Sequence, residues 1–131
     1  MEFVRKLPIP KEIREKYPLS PEWAEKKTEF DREVAKIFTG ESGKKLLVVG
    51  PCSADNEDSV MDYVTRLACV SEQVSDKLVI IPRIYTNKPR TTGEGYKGML
   101  HQPDPNKESD MLAGIIAIRH LHKRVIEDRC P

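Results

Sequence analysis

Two stretches of this sequence set a thiol or a cluster of cations just beyond the end of an apolar run. The first is Gly50-Pro51-Cys52-Ser53, directly after the apolar run Lys45-Leu46-Leu47-Val48-Val49. Glycine and proline force a sharp exit from that run, and Cys52 lands just beyond its end, where a thiolate could ligate a metal. The alternative is a small buried hydrophobe, the usual state of a cysteine outside a disulfide. The second stretch follows Leu78-Val79-Ile80-Ile81-Pro82 and runs from Arg83-Ile84-Tyr85 through Thr86-Asn87-Lys88-Pro89-Arg90-Thr91-Thr92 and Gly93-Glu94-Gly95-Tyr96 to Lys97 and Gly98. Arg83, Lys88, Arg90 and Lys97 fall within fifteen residues, with Glu94 the one acid among them. Arginine offers a planar fork that matches phosphate or carboxylate oxygens, and lysine adds a point charge. Such a loop suits an anion with several oxygens, or else it is a solvated surface loop. Arg83 favours the anion, because a guanidinium inside an apolar run is costly unless a ligand or acid meets it.

The three histidines offer less. His120 and His122 stand two apart on a helical stretch and point to different sides, so they cannot pair on a metal. His101, with Asp104 nearby, reads as surface polarity.

Around these stretches helical and extended patterns alternate. Pro8, Pro10, Pro18 and then Pro21 punctuate an N-terminal segment without sustained period, read as an extended arm that needs a partner surface to be ordered. Ser20-Pro21-Glu22 has the cap, proline and early carboxylate of a helix start. Trp23, Lys27, Phe30, Val34, Ile37 and Phe38 then trace one mostly apolar face up to Gly40, which predicts an amphipathic helix packing on something outside itself. Lys45–Val49 lacks alternation and reads as a strand buried on both faces of a parallel sheet. Val60, Val64, Leu67, Ala68 and Ser71 repeat at helical spacing, with Asp55 or Asn56 as N-cap. Leu78–Ile81 repeats the buried-strand pattern. After the loop, Ser109 or Asp110 caps a third helix whose face is traced by Leu112, Ile115, Ile116, Arg119 and Ile126.

Composition bounds the rest. The 131 residues balance 22 Lys+Arg against 21 Asp+Glu, so no net field draws the chain to nucleic acid or to an anionic membrane. No apolar stretch nears the roughly 18 residues needed to span a bilayer, and no secretory signal is visible at the N-terminus. Cys52, Cys69 and Cys130 form neither a CxxC pair nor an even framework, which agrees with a reducing, cytoplasmic setting. The order arm, helix, β, α, β, loop, α is that of an α/β fold with parallel strands. Two strands leave both edges bare, and a (β/α)8 barrel needs about 250 residues, so this chain could supply only the first quarter of one plus an extension.

Taken together, LLVVGPCS, a helix, and then IPRIYTNKPRTTGEGYKG resemble the N-terminal half of class I 3-deoxy-D-arabino-heptulosonate 7-phosphate (DAHP) synthases, of the feedback-regulated subgroup with an N-terminal extension. The likeness runs from about Lys45 to the end and is weaker before it. The GPCS turn is shared with 3-deoxy-octulosonate 8-phosphate synthases. KPRTT is more specific: an Asn interrupts the Lys-to-Arg segment in those relatives, whereas here Pro89 joins Lys88 directly to Arg90. The resemblance implies a TIM-type (β/α)8 barrel, with residues 1–40 as extension and 41–131 as its first two βα units, incomplete in this chain. It implies that Cys52 is a metal ligand. It also implies that Arg83 and Lys88 hold phosphoenolpyruvate, with Tyr85 and Lys97 beside it, and that Lys88-Pro89-Arg90-Thr91 receives erythrose 4-phosphate. Gly93-Glu94-Gly95 makes the loop one residue longer than in enterobacterial members, which loosens the alignment of Lys97.

The reaction so implied condenses phosphoenolpyruvate with erythrose 4-phosphate in the first step of the shikimate pathway, toward the aromatic amino acids. It uses a divalent metal, Mn, Fe, Co or Zn. The remaining ligands of the family, a His, a Glu and an Asp, come from later strands, so this chain alone is expected to bind no metal and to be inactive. A competing expectation is a non-catalytic interaction or regulatory fragment that associates with a full-length synthase. Either way the bare strands and helix face predict a homo-oligomer or a complex with a complementary C-terminal fragment.

Overall fold

The computed structural model describes residues 5–88, 90 and 93–127. The elements run α1 (Pro10–Lys16), α2 (Pro21–Phe38), β1 (Lys45–Val49), α3 (Glu57–Gln73), β2 (Leu78–Pro82) and α4 (Met111–Glu127). The two strands pair in parallel, with Lys45 opposite Leu78 and Val49 opposite Pro82. This is the expected mixed α/β arrangement, and among the described residues the sheet holds these two strands.

The local chemistry accounts for most boundaries. Asn56 Oδ1 accepts the Ser59 amide at 2.9 Å, and Asp110 Oδ1 accepts the Ala113 amide at 3.0 Å, so these two residues cap α3 and α4. Ser20 precedes α2 in extended conformation, but its hydroxyl makes no cap bond. That helix rests instead on Pro21 at its first position and on the i,i+4 ion pairs Glu22–Lys26 and Lys27–Asp31, at 2.8 and 2.6 Å.

Three sequence expectations are corrected here. The arm is not extended throughout: Pro10 opens a short helix whose first turn is closed by the Ile9 amide donating to Glu12 Oε2 at 2.9 Å. Nor does the arm wait for another chain. It crosses α4, with Ile13 buried, Arg119 Nε donating to the Tyr17 carbonyl at 2.9 Å, and the Tyr17 and His120 rings edge to face at 4.8 Å. Finally, the face traced on α4 is not the one the core takes. Gly114, Leu121 and Val125 are the buried residues, whereas Leu112 and Ile116 line a cleft with Leu7, Ile13 and Tyr17 of the arm. This helix is apolar on two sides because it packs on two partners.

The core gathers Ala54, Val60, Met61, Val64, Met99, Leu121 and Val125, with Tyr63, Ile84, Ala117 and Ile118 packed against it. It therefore lies among α3, α4 and the segments leaving the strands. Ala54, Ile84 and Met99 belong to those segments, so both candidate stretches are moored at their ends by apolar burial. Part of α2 packs within the chain, with Trp23 and Phe30 meeting Ile126 of α4 around a small cleft. Phe38 remains 77% exposed. Among the described residues, no helix is long and apolar enough to cross a membrane.

Candidate anion-binding site

Parallel pairing brings the carboxyl ends of β1 and β2 side by side, and backbone bonds carry the contact past the strands. The Arg83 amide donates to the Val49 carbonyl at 2.8 Å, and the Ala54 amide to the Tyr85 carbonyl at 2.9 Å. Gly50 is required at this crossing, since a Cβ there would overlap the Arg83 carbonyl. Both stretches singled out in the sequence thus leave the sheet at one place.

Cys52 is exposed at this mouth, so it is not the buried hydrophobe that the sequence left open. The Lys88 Nζ lies 3.8 Å from its Sγ, bringing together residues thirty-six positions apart. Arg83 is also exposed and so is not the costly buried guanidinium that the apolar run suggested. Its Nη1 donates to the Pro51 carbonyl at 3.2 Å and its Cζ stands 4.3 Å from the centre of the Tyr85 ring. Carbonyl and ring hold the guanidinium in place without neutralising it, so its remaining donors can meet an anion.

The rest of the loop folds back on itself. The Lys88 amide donates to the Lys97 carbonyl at 3.0 Å and the Leu100 amide to the Thr86 carbonyl at 3.1 Å. Gly98, at φ +98°, lies against the backbone of Thr86, Asn87 and Lys88, so only glycine fits there. Lys97 and Arg90 are exposed, and Arg90 Nε donates to the Tyr96 carbonyl at 3.1 Å. Pro89 and Thr91 lie outside the described residues. The structure therefore joins Cys52 with Lys88 and Arg83 with Tyr85, and ties Arg90 to Tyr96.

Two residues of this region escaped the sequence reading. The hydroxyls of Ser53 and Tyr96 are buried and, among the described residues, have no hydrogen-bond partner. Burial, and secondarily the Asp55 carboxylate, raises the Tyr96 phenol above its ordinary 10.0, so it stays protonated at neutral pH. No spacing rule points to either residue, because which loop side chain turns inward depends on where the loop closes.

A resident metal does not fit the residues described here. They contain no group of three His, Cys, Asp or Glu able to hold an ion, and a single thiolate does not displace a metal's water shell.

Comparison with known proteins meets this geometry. The model of the DAHP synthetase I family matches residues 16–117. The chain is 34% identical over 115 residues to a phospho-2-dehydro-3-deoxyheptonate aldolase of Corynebacterium glutamicum, covering 88% of this chain and 31% of that one. It is 35% identical over 124 residues to the Trp-sensitive phospho-2-dehydro-3-deoxyheptonate aldolase of Escherichia coli, covering 95% and 35%. The solved structure of phospho-2-dehydro-3-deoxyheptonate aldolase from Francisella tularensis superposes with a TM-score of 0.87 at 26% identity, over 100% of this chain and 38% of that one. The chain spans about a third of the length of the curated relatives it matches. With the family model covering most of its residues, the chain belongs to the DAHP synthetase I family.

Proposed function

We propose that this chain supplies the substrate-binding mouth of a DAHP synthase, which condenses phosphoenolpyruvate with erythrose 4-phosphate in the first step of the shikimate pathway. The observation that carries this reading is the meeting of Arg83, Lys88 and Cys52 at the carboxyl ends of two parallel strands, in a chain of this family. Ligands of parallel α/β folds sit at that end. In this reading residues 41–131 form the first two βα units of a (β/α)8 barrel, and residues 1–40 form an extension. Phosphoenolpyruvate is anionic and its C3 must form a bond to the aldehyde carbon of erythrose 4-phosphate. Water then adds at C2 and inorganic phosphate leaves by C–O cleavage. Arg83 and Lys88 neutralise and orient phosphoenolpyruvate, with Tyr85 bracing Arg83 and Lys97 beside them. Lys88, Pro89, Arg90 and Thr91 receive erythrose 4-phosphate.

In the complete enzyme Cys52 would be one ligand of a divalent Mn, Fe, Co or Zn ion, whose other donors lie beyond these residues. The isolated chain is expected to be inactive. It should still bind phosphoenolpyruvate or inorganic phosphate with millimolar affinity, since each exposed contact contributes about 1 kcal/mol or less. Chemical-shift mapping with inorganic phosphate tests the site: shifts centred on Arg83, Lys88 and Arg90 support it, and shifts centred at the start of α4 remove it. Mixing the chain with a fragment carrying the remainder of a synthase should yield product, and Cys52→Ser should abolish it. Full activity of that variant complex would refute the ligand role.

A second reading, a non-catalytic fragment that associates with a synthase or with itself, is favoured by one observation. Phe38, Leu47 and Val48 are 77%, 42% and 55% exposed. Light scattering should then find a species of at least twice 15.0 kDa, and a well-folded monomer at micromolar concentration would count against association.

A further inference from the structure

Arg90 is tethered by its loop partner, Tyr96. The Arg90 Nε donates to the Tyr96 carbonyl at 3.1 Å, which uses one edge of the guanidinium and fixes its plane. The next carbonyl along, that of Lys97, accepts the Lys88 amide at 3.0 Å. One short backbone segment therefore sets both the Lys88 and the Arg90 side of the loop. That segment is itself held from two directions. Gly98, at φ +98°, locks it against the backbone of Thr86 to Lys88. Tyr96 sends its side chain inward, with the hydroxyl fully buried and without a partner among the described residues. A buried hydroxyl without a partner costs stability, so among the described residues the oxygen adds nothing that holds the segment, which leaves the ring to anchor it.

We propose that Tyr96 is the positioning residue of this anion loop: its inward ring fixes the carbonyl that holds Arg90, and so sets the affinity for a phosphate group that it does not touch. The inference rests on the proposed anion site and deepens it. Tethering matters because an untethered arginine must surrender side-chain freedom when it binds, whereas a tethered one has surrendered it already. The raised phenol titration agrees with an inward, water-poor position for the hydroxyl at the tip of the side chain.

The test uses the 131-residue chain, inorganic phosphate as probe, and the Arg90 Nε–H resonance as a direct readout of the tether. In the unsubstituted chain that proton should exchange slowly, and free exchange would overturn the proposal without any variant. Tyr96→Phe should leave phosphate affinity and the protected proton unchanged, since only the orphan oxygen is lost. Loss of affinity in this variant would show that the hydroxyl meets the ligand and would overturn an indirect role. Tyr96→Ala should release the Nε–H and weaken phosphate binding about fivefold, close to the effect of Arg90→Ala. In the Arg90→Ala background Tyr96→Ala should weaken binding no further, because a residue acting through Arg90 has nothing left to act on. Additive losses would mean that Tyr96 works by another route. If Arg90→Ala weakens binding and Tyr96→Ala does not, this inference fails and the site stands. If Arg90→Ala has no effect, both fall.

Discussion

The two strands are near twins in sequence and differ in burial. KLLVV and LVIIP are both short apolar runs, paired residue for residue, yet Val79 and Ile80 of β2 are 4% and 6% exposed while Leu47 and Val48 of β1 are 42% and 55% exposed. The difference lies in what packs on each. Ile80 and Pro82 share a cleft with Val64, Leu67 and Ala68 of α3, so the helix joining the strands covers β2. A lone crossover helix cannot cover both strands equally. An apolar run shows that a strand can be buried and leaves open what will bury it. The same composition is thus core in one place and bare surface in the other.

Substitutions can sharpen that contrast. The largest loss is expected for Leu121→Ala, which empties a fully buried position beneath α3: about 3 to 4 kcal/mol by denaturant unfolding. Ile80→Ala should cost about 2 to 3 kcal/mol, less because the cleft of about 140 Å³ beside it already denies Ile80 some contacts. Asn56→Ala, which removes the α3 cap and leaves burial intact, should cost about 1 kcal/mol. Val48→Ala on β1 should change stability by less than about 0.5 kcal/mol. A Val48 cost equal to that of Ile80 would break the comparison and show that β1 is covered in solution, as association would do.

The smallest effect is a pH dependence at the loop that β2 feeds. The folded phenol of Tyr96 titrates above its ordinary 10.0, so its contribution to stability is fully present below that value. The contribution is lost as pH rises through the folded value, because the unfolded chain ionises first. Thermal melts between pH 9 and 11 should therefore fall more steeply for the unsubstituted chain than for Tyr96→Phe. Equal slopes would mean that the phenol is solvated.

Periodicity alone made the two parallel strands and the helices from Pro21 onward legible, though not the short α1, and side chains that bond their own backbone narrowed each cap to two neighbours, Asp55 or Asn56 and Ser109 or Asp110, of which the structure uses Asn56 and Asp110. The sequence also placed Cys52, Arg83 and Lys88 past strand ends, since an apolar run and a Gly-Pro exit are local signals. The docking of the arm on α4 was out of reach, because Leu112, Ile116 and Arg119 look the same whether they meet a core, another chain or residues 5–17. So was the solvent-facing guanidinium of Arg83, braced by Pro51 and Tyr85, whose position in an apolar run suggests burial. Tyr96 is the clearest case. Its role depends on a loop closing through Gly98 onto Thr86 and Lys88, and only the closed chain decides which of its side chains turn inward and which carbonyl an arginine finds. Local pattern fixes what a segment can form, and burial, tethering and orphaned polar groups arise where segments distant in sequence meet.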